Sequence, residues 1–215
     1  MKEHESEWIS VSDFMASLIG VLVIFLIAAV IEESGVGNSV EEIERRKEEK
    51  AIEVMLRGIA QETKNERNPN SIFKIYPERR TLEMDTAHFA SGSPCLAKEA
   101  EIQLRRHAAK ISELLVTYNR AIVTIEGYAD TTRVPQSTFF PCGKNSYQYG
   151  DNVTLSLHRA QEARSILISE WNNVKLSERV AILGYGATKP APGAKSLNAN
   201  RRVLVRFVPG TKART

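Results

Sequence analysis

The chain has 215 residues, two cysteines and a formal net charge of +3 at pH 7, a balance that conceals a division along its length. Residues 1–71 carry 8 basic and 14 acidic groups, a net of −6, whereas residues 72–215 carry 21 basic and 12 acidic groups, a net of +9. The basic part is long enough for one hydrophobic core, and the absence of internal repeats or low-complexity tracts excludes a solenoid or an extended fibre.

The chain opens on an acidic tail, MKEHESE, and then runs without a charge from Phe14 to Ile31, 18 residues with a single hydroxyl at Ser17. Counted from Trp8 the stretch is 24 residues, against the ~20 that a tilted helix needs to cross a hydrocarbon core. One transmembrane helix is expected over residues 9–33, after a tail of residues 1–8. Asp13 then lies about a turn inside its N-terminal end. A carboxylate inside a bilayer is costly and marks an ion or proton path. Equally, Ser10, Ser12 and Asp13 are all good N-caps, and the helix macrodipole favours an acid there. The segment alone leaves both readings open. A cleaved signal peptide is disfavoured, because the tail is acidic, the run is long, and no A-x-A-like site follows. Ala16, Ser17 and Gly20 share the helix face of Asp13 and would let two copies pack closely.

Residues 34–71 read as a linker. Ser34–Ser39 is rich in glycine and polar residues, a break after the span. Residues 40–67 read helical, with Val40, Ile43, Ile52, Met55 and Ile59 as apolar points among dense charge. This connector is expected to pack on itself or on a twin, and Asn68-Pro69-Asn70 ends it. The basic residues after the span begin only at Arg45 and stand among seven acids, so the positive-inside rule assigns the orientation poorly.

From residue 72 to 208 the elements alternate. Short strands are expected at 72–76 and 81–84 around a Pro77–Arg80 turn. A helix follows at 97–118 through Ile102, His107, Ile111, Leu114 and Leu115, then a buried strand at 121–128. A long loop covers 131–151. A second helix follows at 153–171, a strand at 180–185, a helical turn at 197–201 and a closing strand at 202–208, with residues 209–215 as a tail. Alternating strands and helices imply an α/β sandwich, with the helices on one face of a mixed sheet. Cys95 and Cys142 would fall on the same rim of that sheet. One disulfide in an oxidising compartment is one reading, and it would pin the long loop; two unrelated free thiols are the other. The four histidines lack metal-ligand spacing, neither cysteine has a CxxC or nucleophile context, and no cofactor or enzymatic site is expected.

Four blocks then stand in order over some 80 residues: IEGYAD (Ile125–Asp130), NVTLSLHRA (Asn152–Ala160), GYGATKP (Gly184–Pro190) and NANRRV (Asn198–Val203). Together they resemble the peptidoglycan-binding domain of the OmpA and MotB class. The resemblance implies that Asp130 and Arg159 hold the zwitterionic end of a diaminopimelate stem peptide, with Asn152, Leu155 and Ser156 shaping the pocket. The chemistry is apt, because a fixed carboxylate accepts from an ammonium and an arginine fork clamps a carboxylate. The bland alternative is an Asp130–Arg159 ion pair, worth little if exposed. Two departures stand out. Tyr128-Ala129 replaces the usual His-Thr, and the stretch from Asp130 to Asn152 is longer than the family's compact loop.

The N-terminal WISVSDFM (Trp8–Met15) resembles the single span of flagellar-type stator B subunits, in which the membrane aspartate carries the ion. The short chain and the segment ISVSDFM…GVLVIFLIAAVIEE are most similar to the ZorB family of Zorya anti-phage defence. The resemblance implies a non-enzymatic B subunit of an ion-driven, proton-coupled motor in the bacterial inner membrane, with its N-terminus cytoplasmic and its C-terminal domain periplasmic. The implied partners are peptidoglycan, a second copy of the chain, and a ring of MotA- or ZorA-like multi-span subunits, with no nucleic acid. A flagellar stator subunit and a non-transporting wall tether are the alternatives.

Overall fold

The computed structural model describes residues 3–33, 36–65, 73–84, 89–135, 137–171, 173–193 and 197–210. They form two compact units, Met1–Glu44 and Arg45–Thr215. The first contains α1 (Glu3–Glu33) and the start of α2 (Val36–Asn65). None of the side chains over Phe14–Ile31 is buried, and by length and composition this stretch can cross a membrane. An apolar helix exposed on every side requires lipid or partner helices around it.

α2 corrects two expectations. It begins at Val36, so glycine-rich Val36–Ser39 is helical and the break is narrower than the composition suggests. Ile52, Leu56 and Ile59 are fully buried in the core of the second unit, so this stretch does not simply pack on itself or on a twin. Each such burial is worth ~1.5–3 kcal/mol. Val40 and Ile43 remain more than half exposed. Residues 68–70, expected to end the helix, lie outside the described residues.

The second unit is a five-stranded mixed sheet in the order β1-β2-β7-β3-β6. β1 (Phe73–Tyr76) turns through a 3-10 stretch at Pro77–Arg79 into β2 (Thr81–Met84), which pairs antiparallel with β7 (Val203–Val208). β3 (Ile122–Gly127) lies between β7, antiparallel, and β6 (Val180–Gly184), parallel. The β3–β6 pair requires a crossover, supplied by α4 (Asn152–Ser169), while α3 (Lys98–Thr117) links β2 to β3. Strand alternation points Val123, Ile125, Val203, Val205 and Phe207 into one core with Leu104, Ile111 and Leu115 of α3 and Ala160, Ala163 and Leu167 of α4. This is the expected α/β sandwich. Within α3 the buried stripe runs through Leu104, His107 and Ala108, whereas Ile102, expected on it, is half exposed.

At residues 131–151 the expected loop contains a hairpin, β4 (Thr138–Cys142) and β5 (Asn145–Tyr149), joined through Gly143 at φ +59°. A short α5 (Val174–Ser177) also went unforeseen. The hairpin is fastened to the rest of the unit by a Cys95–Cys142 disulfide. Val134, Cys142, Tyr147, Tyr149 and Leu155 form a small second core beneath it. The Tyr147 hydroxyl donates to the buried Glu162 carboxylate at 2.6 Å, and His158 Nε2 meets the Gln148 carbonyl at 3.0 Å.

Candidate functional site

All four sequence blocks converge where β3 ends. Gly127 sits against the backbone of α4 so closely that a Cβ there would lie 1.8 Å from the Ser156 carbonyl oxygen. Beyond it, the Tyr128 amide donates to the Arg202 carbonyl and the Ala129 amide to the Gly186 carbonyl, both at 2.9 Å. Gly186 has φ +54°, and its own amide donates to the Ser156 hydroxyl at 2.8 Å. The β3 end, the GYG turn and the NRR segment thus hold the backbone leading to Asp130 from both sides.

Asp130 is buried. Its Oδ1 accepts from the Thr132 amide at 2.8 Å, an Asx-type turn. Asn152, at the start of α4, donates through Nδ2 to the carbonyls of Asp130 and Thr132, both at 3.0 Å. The α4 N-terminus is itself capped by Asp151, whose carboxylate accepts from the Val153 and Thr154 amides. The Thr154 amide and hydroxyl, chief among these contacts, hold the Asp151 carboxyl below its usual range.

Arg159, two turns into α4, is 1% exposed. Nε donates to Ser93 O at 2.9 Å, Nη1 to Tyr128 O at 3.1 Å and Nη2 to Ala90 O at 3.4 Å. The guanidinium also lies over the Phe89 ring, 5.4 Å from its centroid. Burial, with a smaller effect from Arg201, pulls its pKa down to about 10, so it is charged at neutral pH. A guanidinium has five N–H groups; three are spent on carbonyls, which leaves one on each terminal nitrogen.

Asp130, Asn152, Leu155 and Arg159 line one pocket of about 90 Å³, together with Arg201. Ser156 does not. It is fully buried behind the wall, donating to Val153 O and accepting from Gly186, and shapes the pocket only by tying α4 to the GYG turn. The ion pair of Asp130 is also not the one weighed from the sequence: Arg201 Nε stands 3.5 Å from Asp130 Oδ2, while Arg159 is occupied by carbonyls. Arg201 lies in the NANRRV block, where two consecutive arginines enter a strand. Neighbouring strand residues face opposite sides, and that alternation is the signal that one of the pair would reach the pocket.

The Tyr128-Ala129 departure has a structural consequence on the other side of the sheet. Tyr128 stacks on Tyr185 with centroids 5.2 Å apart, lies under Arg202, and donates to Glu126 Oε2 at 2.7 Å. Arg206 Nε donates to Glu126 Oε1 at 2.8 Å. Burial pushes the Tyr128 hydroxyl pKa up, and its bond to Glu126 adds to that. Asp13 is the eleventh residue of α1, which begins at Glu3 and not at the expected residue 9, so none of Ser10, Ser12 and Asp13 is the N-cap of that helix. Asp13 belongs to the other unit from the pocket, and the position of its side chain is outside the described residues.

Several solved structures are similar to this chain. The periplasmic domain of Helicobacter pylori MotB is 23% identical, with 62% of this chain and 76% of that chain covered and a TM-score of 0.45. A MotB-like protein from Desulfovibrio vulgaris is 16% identical over 79% of this chain and 99% of its own, with a TM-score of 0.52, a likeness of fold. The cell wall anchor of the type VI secretion system from Pseudomonas aeruginosa is 21% identical, with 61% and 81% covered and a TM-score of 0.42. A search of curated proteins finds no match. The sequence model of the OmpA family matches residues 88–203, which include the pocket, the disulfide and three of the five sheet strands entire or in part. That match spans more than half of the chain, and the chain belongs to the OmpA family.

Proposed function

We propose that the chain is the peptidoglycan-anchored B subunit of an ion-driven motor in the bacterial inner membrane, acting in anti-phage defence in the manner of ZorB. The observation that carries the wall-binding half is the pocket, where a backbone-fixed Asp130 stands beside Arg159. Asp130 accepts from the ammonium of a diaminopimelate stem peptide, and the remaining N–H groups of Arg159 take its carboxylate. Asn152 and Ser156 hold the walls in place, and Leu155 supplies the apolar side against the ligand's methylenes.

Support for the motor half comes from the membrane-length apolar stretch Phe14–Ile31 and the acid immediately before it. Asp13 carries the ion, a proton, between the two sides. Two copies pair through residues 9–33 inside a ring of MotA- or ZorA-like multi-span subunits, which shields Asp13 from lipid. The N-terminus is cytoplasmic and the C-terminal domain periplasmic, where a disulfide persists.

One experiment with two variants separates the halves. Full-length Asp13→Asn, produced with its membrane partners, should lose ion-coupled protection against phage and still sediment with purified sacculi. Asp130→Asn should fail to sediment while keeping its circular dichroism. Full protection by Asp13→Asn would remove the ion-path role of that residue and leave a simple tether. Undiminished sedimentation of Asp130→Asn would remove the pocket from wall binding.

A further inference from the structure

The hairpin of β4 and β5 grows directly from the pocket. Val134, ahead of β4, and Asn152, after β5, both line it. Gln148 is four residues from Asn152, and an extended chain advances at most ~3.6 Å per residue, so it stands within ~14 Å of the pocket wall. Successive strand residues face opposite sides. Phe140, Cys142, Tyr147 and Tyr149 belong to the small core, so Phe139, Pro141, Ser146 and Gln148 form the outer face, and all four are exposed. Phe139 stands directly opposite Gln148, and Pro141 opposite Ser146.

Phe139 is 66% exposed, and no other aromatic side chain among the described residues of the second unit is classed with it. Its support is fixed: the Cys95–Cys142 disulfide, the Tyr147–Glu162 bond and the bond from Tyr149 to the Gly92 carbonyl fasten the inner face of the hairpin. A ring on such a support binds without the cost of ordering a mobile segment. One ring and one proline are far too small a patch for a stable protein interface. They suit a sugar. The C–H face of a pyranose is apolar and covers a ring, while its hydroxyl and acetamido groups exchange hydrogen bonds with an amide and a hydroxyl, here Gln148 and Ser146.

The wall supplies a sugar at the matching distance. Diaminopimelate is the third residue of the stem peptide, and the first is joined to N-acetylmuramic acid, so the sugar stands ~10–14 Å from the pocket. We propose that the outer face of the hairpin, with Phe139 at its centre, is a glycan subsite that takes the sugar carrying the stem peptide held in the pocket. The hairpin occupies the stretch where this chain departs from the family's compact loop, so the subsite is an addition of its own. This inference rests on the diaminopimelate reading.

The test titrates full-length protein in detergent with two probes, the tripeptide L-Ala-γ-D-Glu-meso-diaminopimelate and the same tripeptide on N-acetylglucosaminyl-N-acetylmuramic acid. The wild type should bind the disaccharide form at least ~5-fold more tightly, the scale of one well-covered aromatic contact. Phe139→Ala should lose that gain and bind the free tripeptide as the wild type does, whereas Phe139→Trp should keep it. Gln148→Ala should lose part of it. Equal affinity of the wild type for the two probes overturns the subsite and leaves the pocket standing. So does a Phe139→Ala variant that keeps the gain, or one that loses both probes alike. Binding of neither probe by the wild type overturns the diaminopimelate reading and this inference with it.

Discussion

Removing the disulfide by Cys95→Ala together with Cys142→Ala should cost both stability and wall binding. The bridge closes a sequence separation of 47 residues, for which the chain-entropy relation sets a ceiling of ~4 kcal/mol. The hairpin keeps other ties: Tyr147 to Glu162, Tyr149 to the Gly92 carbonyl, and the small apolar cluster around Leu155. Those contacts hold part of the structure in place, so a loss of ~2–4 kcal/mol is expected. The functional effect follows from position. Cys95 lies two residues after Ser93, whose carbonyl orients Arg159 and whose hydroxyl accepts from the Cys95 amide. Loosening that segment relaxes the fork that faces the ligand. Denaturant unfolding followed by circular dichroism gives the first quantity and sedimentation with sacculi the second. A midpoint corresponding to less than ~0.5 kcal/mol of change, with undiminished sedimentation, would refute the argument that the bridge positions Arg159.

Two further outcomes probe the scaffold. Burial, the largest single effect on Glu126, raises its carboxyl pKa, but bonds from Arg206 and Tyr128 together outweigh it, and the net displacement is below the ordinary 4.5. The unfolded chain then binds more protons than the folded one in that range. The stabilising contribution is therefore complete above pH 4.5 and lost as pH falls below it; Glu126→Gln should flatten this part of the stability–pH curve. Gly127→Ala forces a Cβ onto the Ser156 carbonyl and should destabilise by ~4 kcal/mol or more. Gly143→Ala, at φ +59° with nothing within 4 Å of the added carbon, should cost only ~1 kcal/mol, which thermal melts of the two variants would compare.

Much of this protein is local in origin and so legible in one dimension. The apolar stretch Phe14–Ile31, the helices flanking β3 and the alternation of Val203, Val205 and Phe207 follow from periodicity, because burying one face of an element needs only the residues of that element. The four ordered blocks likewise pointed to Asp130, Asn152, Leu155 and Arg159, and all four line one pocket. Tertiary structure decided what depends on distant partners. Ile52, Leu56 and Ile59 look like points on a solvated connector until the core that receives them exists. The 138–149 hairpin has a proline in one strand, Pro141, and is held by a disulfide and tyrosine bonds to residues far away in sequence. Ser156 is set behind the pocket wall by the Gly186 amide, 30 residues on. Arg201 reaches Asp130 only because β7 lies beside β3, a long-range pairing that no local pattern encodes.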